Sequence, residues 1–408
     1  MTENTVPRLG VSERSAVSPF FVMDIVARAA KMAAEGRHVI SLCVGEPSQG
    51  APTDVRERAA KVFTDGTNLG YSPVNGIPVL RQAIAGHYKR WYGLELDPDR
   101  VFVTTGSSGA FTLGFLAVFD VGQRVALARP GYAAYKNILA GLGLEVVELD
   151  CGPAERYQPT VAQLAAEHAK SPLSGLVIAS PANPTGTMLD RAQLTEISDW
   201  CAANGVRLVS DEIYQGLTFA TDLSAPDALG VTAAEINPDA IVISSFSKFW
   251  GMTGWRLGWA IVPENVASAM SGLAGNFTLC PPVPSQVAAV EAFTERSYQE
   301  GFEALNGFAK ARQMVLDAIP ELGWYDVAPA DGAFYMYAKV DNILGPYANA
   351  TEYCSALMDQ QAVALSPGTD FDTIEGNSAV RLSLAAGPEA VAEALERIKA
   401  FQRGYQGA

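Results

Sequence analysis

The sequence predicts an α/β protein: a large domain whose mostly parallel sheet is covered by helices on both faces, with a smaller α+β domain beside it. Three observations carry this expectation. The chain has 408 residues, which suits two domains, since one domain runs to roughly 100–200 residues. Between about 55 and 265, short runs rich in Val, Ile and Leu alternate with amphipathic helical stretches. Runs that are apolar on both faces and joined by helices indicate a parallel sheet buried on each side. Beyond about 300 the alternation stops, and a long helical pattern leads into short strands and a final helix.

Taken in order, residues 20–34 place apolar side chains on one face of a helix, and 38–44 read as a short strand closing in Gly45-Glu46-Pro47. The strand-like runs are 101–105, 124–128, 145–149, 175–180, 207–210, 240–244 and 257–262. A helix near 297–319, strands at 333–340 and 380–383 and a helix at 388–405 complete the chain. The pattern divides it into a large domain at 50–295 and a smaller one made of 1–49 and 296–408.

Composition narrows the function. Apolar residues make up 49% and charged residues 18%, enough for a sizeable core. The net charge of −15 repels phosphate backbones and anionic headgroups, so neither nucleic acid nor membrane is expected as a partner. No apolar run of signal-peptide or membrane-span length occurs, and a cytoplasmic enzyme is the expectation. Cys43, Cys151, Cys201, Cys280 and Cys354 are odd in number and widely spaced, so they form neither a disulfide framework nor a metal knuckle. His38, His87 and His168 are isolated, which argues against a histidine-bound metal and against a Ser-His-Asp triad.

In an open parallel sheet, ligands bind beyond the carboxyl ends of the strands. Four of the expected strand ends carry chemistry-bearing residues: Gly106-Ser107-Ser108-Gly109, Pro181-Ala182-Asn183-Pro184-Thr185-Gly186, Asp211-Glu212-Ile213-Tyr214 and Ser245-Phe246-Ser247-Lys248. Each has a plain alternative. The glycine turn opening a helix suits a phosphate, but alone it reads as a serine-capped strand-to-helix turn. Asp211 is either a structural carboxylate or an acid that keeps a ring nitrogen protonated. Asn183 in Asn-Pro-Thr-Gly is by itself an ordinary turn signal, and Tyr214 by itself is packing. Lys248, set among aromatic and small residues in SSFSKFWGMTGWR, is less ordinary. Lysine is normally solvated, and burial lowers its pKa and frees the amine to attack an aldehyde. Arg256, eight residues on, is suited to a phosphate.

These residues, with SPANPTG, DEIY and VRLSLA in the same order and at suitable distances, resemble the class I/II aminotransferases, pyridoxal-phosphate enzymes of fold type I. The resemblance covers nearly the whole chain. It implies that Lys248 carries the cofactor as a Schiff base and shuttles the substrate's proton. It further implies that Asp211 pairs with the ring nitrogen, and that Asn183 and Tyr214 hydrogen-bond the ring oxygen. Ser107, Ser108, Ser245 and Arg256 then hold the phosphate, and Tyr132 stacks on the ring. Arg381 takes the substrate α-carboxylate, and Gly45 brings backbone close to it. Tyr71 reaches the phosphate of the other subunit of a homodimer. The expected reaction moves an amino group from an L-amino acid to a 2-oxo acid, with 2-oxoglutarate as acceptor by family analogy. A C–S lyase or another reaction on the same fold is the alternative. Two departures stand out. Tyr135 occupies a position where aspartate-specific relatives have a histidine supporting the ring-nitrogen acid. No arginine can be assigned to a substrate side-chain carboxylate.

Overall fold

The computed structural model describes residues 10–406. Its strands, in chain order, are β1 Ile40–Ser41, β2 Val101–Thr105, β3 Arg124–Arg129, β4 Glu145–Asp150, β5 Gly175–Ala179, β6 Arg207–Asp211, β7 Ile241–Ser245, β8 Leu257–Ile261, β9 Tyr335–Lys339, β10 Val363–Ala364, β11 Ser366–Pro367 and β12 Ala379–Ser383. Strands β2 to β8 form one seven-stranded sheet in the order β2-β8-β7-β6-β5-β3-β4. The β4, β3, β5, β6 and β7 strands run parallel. β3, β5, β6 and β7 are mostly buried along their length, as expected of strands covered on both faces, while the edge strand β4 alternates exposed and buried residues. The exception is β8, antiparallel to both β7 and β2. A parallel return needs a crossover of about a dozen residues or more, usually helical. Residues 246–256 are too short and irregular for that, so the chain doubles back. This reversal is where Lys248 and Arg256 sit.

The loop after β7 is pinned from below by aromatic packing. Phe246, Phe249 and Trp250 are buried and lie against Trp91, Trp259, Phe293 and Tyr298. Aromatic pairs at these separations stabilise beyond the area they bury, so the lysine rises from a rigid base.

The remaining strands make two small sheets. β11, β12 and β9 are antiparallel, and β1 pairs with β10 in parallel. The expected strand at 38–44 is paired only over Ile40–Ser41. Leu42 still donates to Ala364 and accepts from Ser383, after which the chain leaves the sheet and runs past Arg381 to Gly45. The long helix is Glu295–Leu322, capped by the Thr294 hydroxyl on the Ser297 N–H and ended by Gly323 in the left-handed conformation. No helix among the described residues is long and apolar enough to cross a membrane.

Candidate active site

The ends of β2, β6 and β7 open on a cavity of about 360 Å³. Its far side is closed by Val44 and Gly45, by Phe20, Val22, Met23 and Val26 at the start of helix Phe21–Ala34, and by Asp370, Phe371 and Arg381. Lys248 is half-buried, with its Nζ donating to the Gly45 carbonyl at 2.6 Å. It stands 5.6 Å from the Tyr214 ring and 5.9 Å from that of Phe334. Loss of water, helped by the nearby Arg381 guanidinium, lowers its pKa to about 8.

Asp211 ends β6 and is buried at 2% exposure. One oxygen accepts the Tyr135 hydroxyl and the other accepts the Ile213 N–H at 3.1 Å. Burial pushes its carboxyl up to about 6 against those two bonds. Tyr135 thus supports the acid from the position where a histidine was the family expectation. A phenol donates one hydrogen bond as an imidazole N–H does, so the departure in sequence is not a gap in the structure. The Tyr214 hydroxyl meets that of Tyr335 at 2.9 Å.

Arg381 projects from β12 and is buried. It donates to Asn183 Oδ1 at 2.9 Å and to the Cys43 carbonyl at 2.6 Å. The guanidinium lies between the rings of Tyr335 and Phe371, at 4.4 and 4.5 Å. Its partners are all neutral oxygens, and its Nε is buried without a partner. A buried guanidinium with donors unspent is a receptor for a carboxylate. Gly45 is needed beside it, because a Cβ there would collide with the Tyr335 hydroxyl.

The phosphate-type corner forms where β2 enters helix Gly106–Val118. Ser107 and Ser108 open that helix and line the cavity with Arg256. Gly106 has φ +67°, and a Cβ on it would run into the Arg256 guanidinium. The glycine therefore lets the arginine lie against the helix start, where free N–H groups and the helix dipole favour an anion. Ser245 sits one layer below. Its hydroxyl is engaged with the Leu257 carbonyl and with Ser247, and it is Ser247 that reaches the cavity wall. Tyr132, at the head of helix Ala133–Gly141, lines the cavity and stacks with Phe20, ring centres 5.8 Å apart. Tyr71 is 84% exposed and does not line it.

Motif reading did not single out Ser247, Tyr335, Phe371 or Asp370. Ser247 was within reach, two residues from Ser245 in the same motif. The other three sit in segments without a motif and enter the site only through packing.

The arrangement fits pyridoxal phosphate. The buried Asp211 carboxylate has hydrogen-bond donors but no ion-pair partner among the described residues, which suits a protonated ring nitrogen. Arg256 at a helix start suits a phosphate, and a desolvated lysine suits an aldehyde. Arg381 remains for a substrate carboxylate.

Comparison with known proteins agrees. The family model described as aminotransferase class I and II matches residues 37–398. Valine–pyruvate aminotransferase of Mycobacterium tuberculosis is 47% identical over 388 residues, which is 95% of this chain and 97% of that one. Aspartate aminotransferase of Geobacillus stearothermophilus is 30% identical over 395 residues, 95% of this chain and 97% of its own. The crystal structure of an aminotransferase from M. tuberculosis superposes with a TM-score of 0.92 at 45% identity, covering 97% of this chain and all of that one.

Proposed function

The chain belongs to the class I and II aminotransferases, which depend on pyridoxal phosphate, and within that family we propose that it moves the amino group of an L-amino acid with an apolar side chain to a monocarboxylic 2-oxo acid. The observation that supports this is the set of charges around the cavity. Lys248, Arg256 and Arg381 form no ion pair among the described residues, and they line one cavity with the buried carboxylate of Asp211. Each answers one polar group of the cofactor or of the substrate's α-carbon end, so among the described residues no cation is left for a second carboxylate. The 2-oxoglutarate expected by family analogy needs such a group. Pyruvate does not, and the M. tuberculosis relative is named for pyruvate.

Bound pyridoxal phosphate supplies the electron sink that stabilises negative charge at the substrate Cα. The protein's residues do the rest in this reading. Arg256, Ser107 and Ser108 hold the phosphate, with Ser245 bracing Ser247 from below. Asp211, fixed by Tyr135, keeps the ring nitrogen protonated, Tyr214 and Asn183 hydrogen-bond the ring oxygen, and Tyr132 lies on the ring face. Arg381 takes the α-carboxylate as a fork and, with the Gly45 backbone, sets the orientation of the Cα–H bond. The Lys248 amine anchors the cofactor and then carries the proton away from Cα. Its lowered pKa leaves a working fraction neutral near physiological pH. Donor and acceptor use the same site in turn, which is ping-pong kinetics. The smaller domain at 1–49 and 296–408, of which 1–9 and 407–408 lie outside the described residues, closes on the larger at 50–295 when Arg381 engages substrate. The working form is a homodimer in which Tyr71 reaches the neighbouring phosphate, a role that its exposure in the single chain suits.

Absorbance spectra of the cofactor-loaded protein with single amino acids test this. Valine, leucine or alanine should convert the aldehyde form to the amine form, and pyruvate should restore it. Ammonia or pyruvate released without conversion would move the chain to the C–S lyases.

A further inference from the structure

Among the described residues, the roof of the cavity carries one charged group without an ion pair besides Arg381, and it is an acid. Helix Phe21–Ala34 begins at the cavity, with Phe20, Val22, Met23 and Val26 lining it beside Asp370. The first N–H groups of a helix have no partner within the helix. Here Asp370 accepts two of them, Phe21 N–H on Oδ1 at 2.9 Å and Val22 N–H on Oδ2 at 2.8 Å. The start of a helix facing a ligand cavity is a ready anion site, and this chain fills it with its own carboxylate. Asp370 forms no ion pair among the described residues. Among the described residues, the only Lys or Arg side chains lining the cavity are Lys248, Arg256 and Arg381. The sequence offers no replacement from the loop that the homodimer reading brings to the site: no Lys or Arg lies between Lys61 and Arg81, around Tyr71.

We propose that Asp370 is a specificity-determining residue: an internal anion that occupies the place a substrate's second carboxylate would need, and so turns away dicarboxylic amino and oxo acids. The inference rests on the functional reading above, which puts the substrate side chain under the roof. A second carboxylate must either displace Asp370 from the two N–H groups or lie beside it as a like charge. Both penalties fall on dicarboxylates alone, which is selectivity by repulsion rather than by added attraction.

Two unreactive probes test it on the cofactor-loaded enzyme: glutarate, with two carboxylates, and 3-methylbutanoate, with one. Calorimetry gives their affinities for the wild type, Asp370→Ala and Asp370→Asn. The wild type should favour 3-methylbutanoate. The affinity of glutarate relative to 3-methylbutanoate should rise about tenfold or more in Asp370→Ala, where two N–H groups come free. It should rise less in Asp370→Asn, which keeps an oxygen at the helix start and guards against loss of the roof. If both probes weaken together and the ratio holds in both variants, Asp370 is only a helix cap and the proposal is overturned. A wild type that prefers glutarate overturns it too. A ratio that shifts in an enzyme that transfers no amino group to any oxo acid would uphold the role of Asp370 and refute the functional reading instead.

Discussion

The floor of the cavity and its roof are built differently. The floor stands on the ends of β2, β6 and β7, and its polar groups are tied down: Asp211 by Tyr135 and Ile213, and the base of the Lys248 loop by buried aromatic rings. The roof is made of Phe20, Val22, Met23, Val26 and Phe371, with Asp370 holding the start of one helix. The floor is charged and fixed, as catalysis by preset dipoles requires. The roof is mostly apolar around its two charged groups, Arg381 and Asp370, and the two hydrogen bonds to Asp370 hold the start of its helix, as suits a surface that takes the α-carboxylate and chooses among side chains. One molecule thus separates the reaction, which the whole family shares, from the choice of substrate.

Variants on the two sides should therefore fail in different ways. The largest effect belongs to the floor. Lys248→Ala removes both anchor and base, and should lower the amino-transfer rate by about 10⁵-fold or more with an unchanged circular dichroism spectrum. Arg381 belongs to the roof and comes next. Arg381→Ala should lower kcat/KM by about 10²- to 10³-fold for every substrate alike, because all share the α-carboxylate. A loss confined to one substrate would show that Arg381 reads side chains instead.

The third prediction has the opposite sign. The Asp211 carboxyl titrates near 6 when folded, against an ordinary value of 3.8. Below about pH 4 both states hold the proton. Between there and pH 6 the folded state keeps a proton the unfolded state has lost, so this group's contribution to stability falls as pH rises, and above 6 its cost is constant at about 3 kcal/mol. Asp211→Asn should therefore raise the melting temperature of the cofactor-free protein at pH 8 and lose that advantage near pH 4, while amino transfer falls. Equal stability at both pH values would mean that the site does not hold a costly buried charge. The smallest effect is at the interface: Tyr71→Phe should weaken cofactor binding about fivefold, the value of one hydrogen bond, read by fluorescence titration. No change would remove Tyr71 from the site.

The same contrast explains what could be read from the sequence. The seven strands of the large sheet fall within a residue or so of their expected ends, because most are short apolar runs bounded by helices or turns. Asp211 and Lys248 come with them, since residues at strand ends inherit their place from the strands. The antiparallel turn of β8 was less legible, because strand direction depends on how long the connection is and not on the strand's own residues. The strand expected at 38–44 shrinks to two paired residues, since the apolar pattern cannot show where the backbone leaves a sheet to meet Arg381. Asp370, Phe371 and Tyr335 were invisible. Two of them are distant in sequence from what they touch: Asp370 is 349 residues from Phe21, and Tyr335 is 121 from Tyr214.

Every role assigned in the site depends on which lysine holds the cofactor. Borohydride reduction of the loaded enzyme, followed by digestion and mass spectrometry, tests this most directly. The reduced phosphopyridoxyl group should be found on the peptide containing Lys248 and on no other. Label on a different lysine, or an unlabelled Lys248 in fully loaded protein, would contradict it.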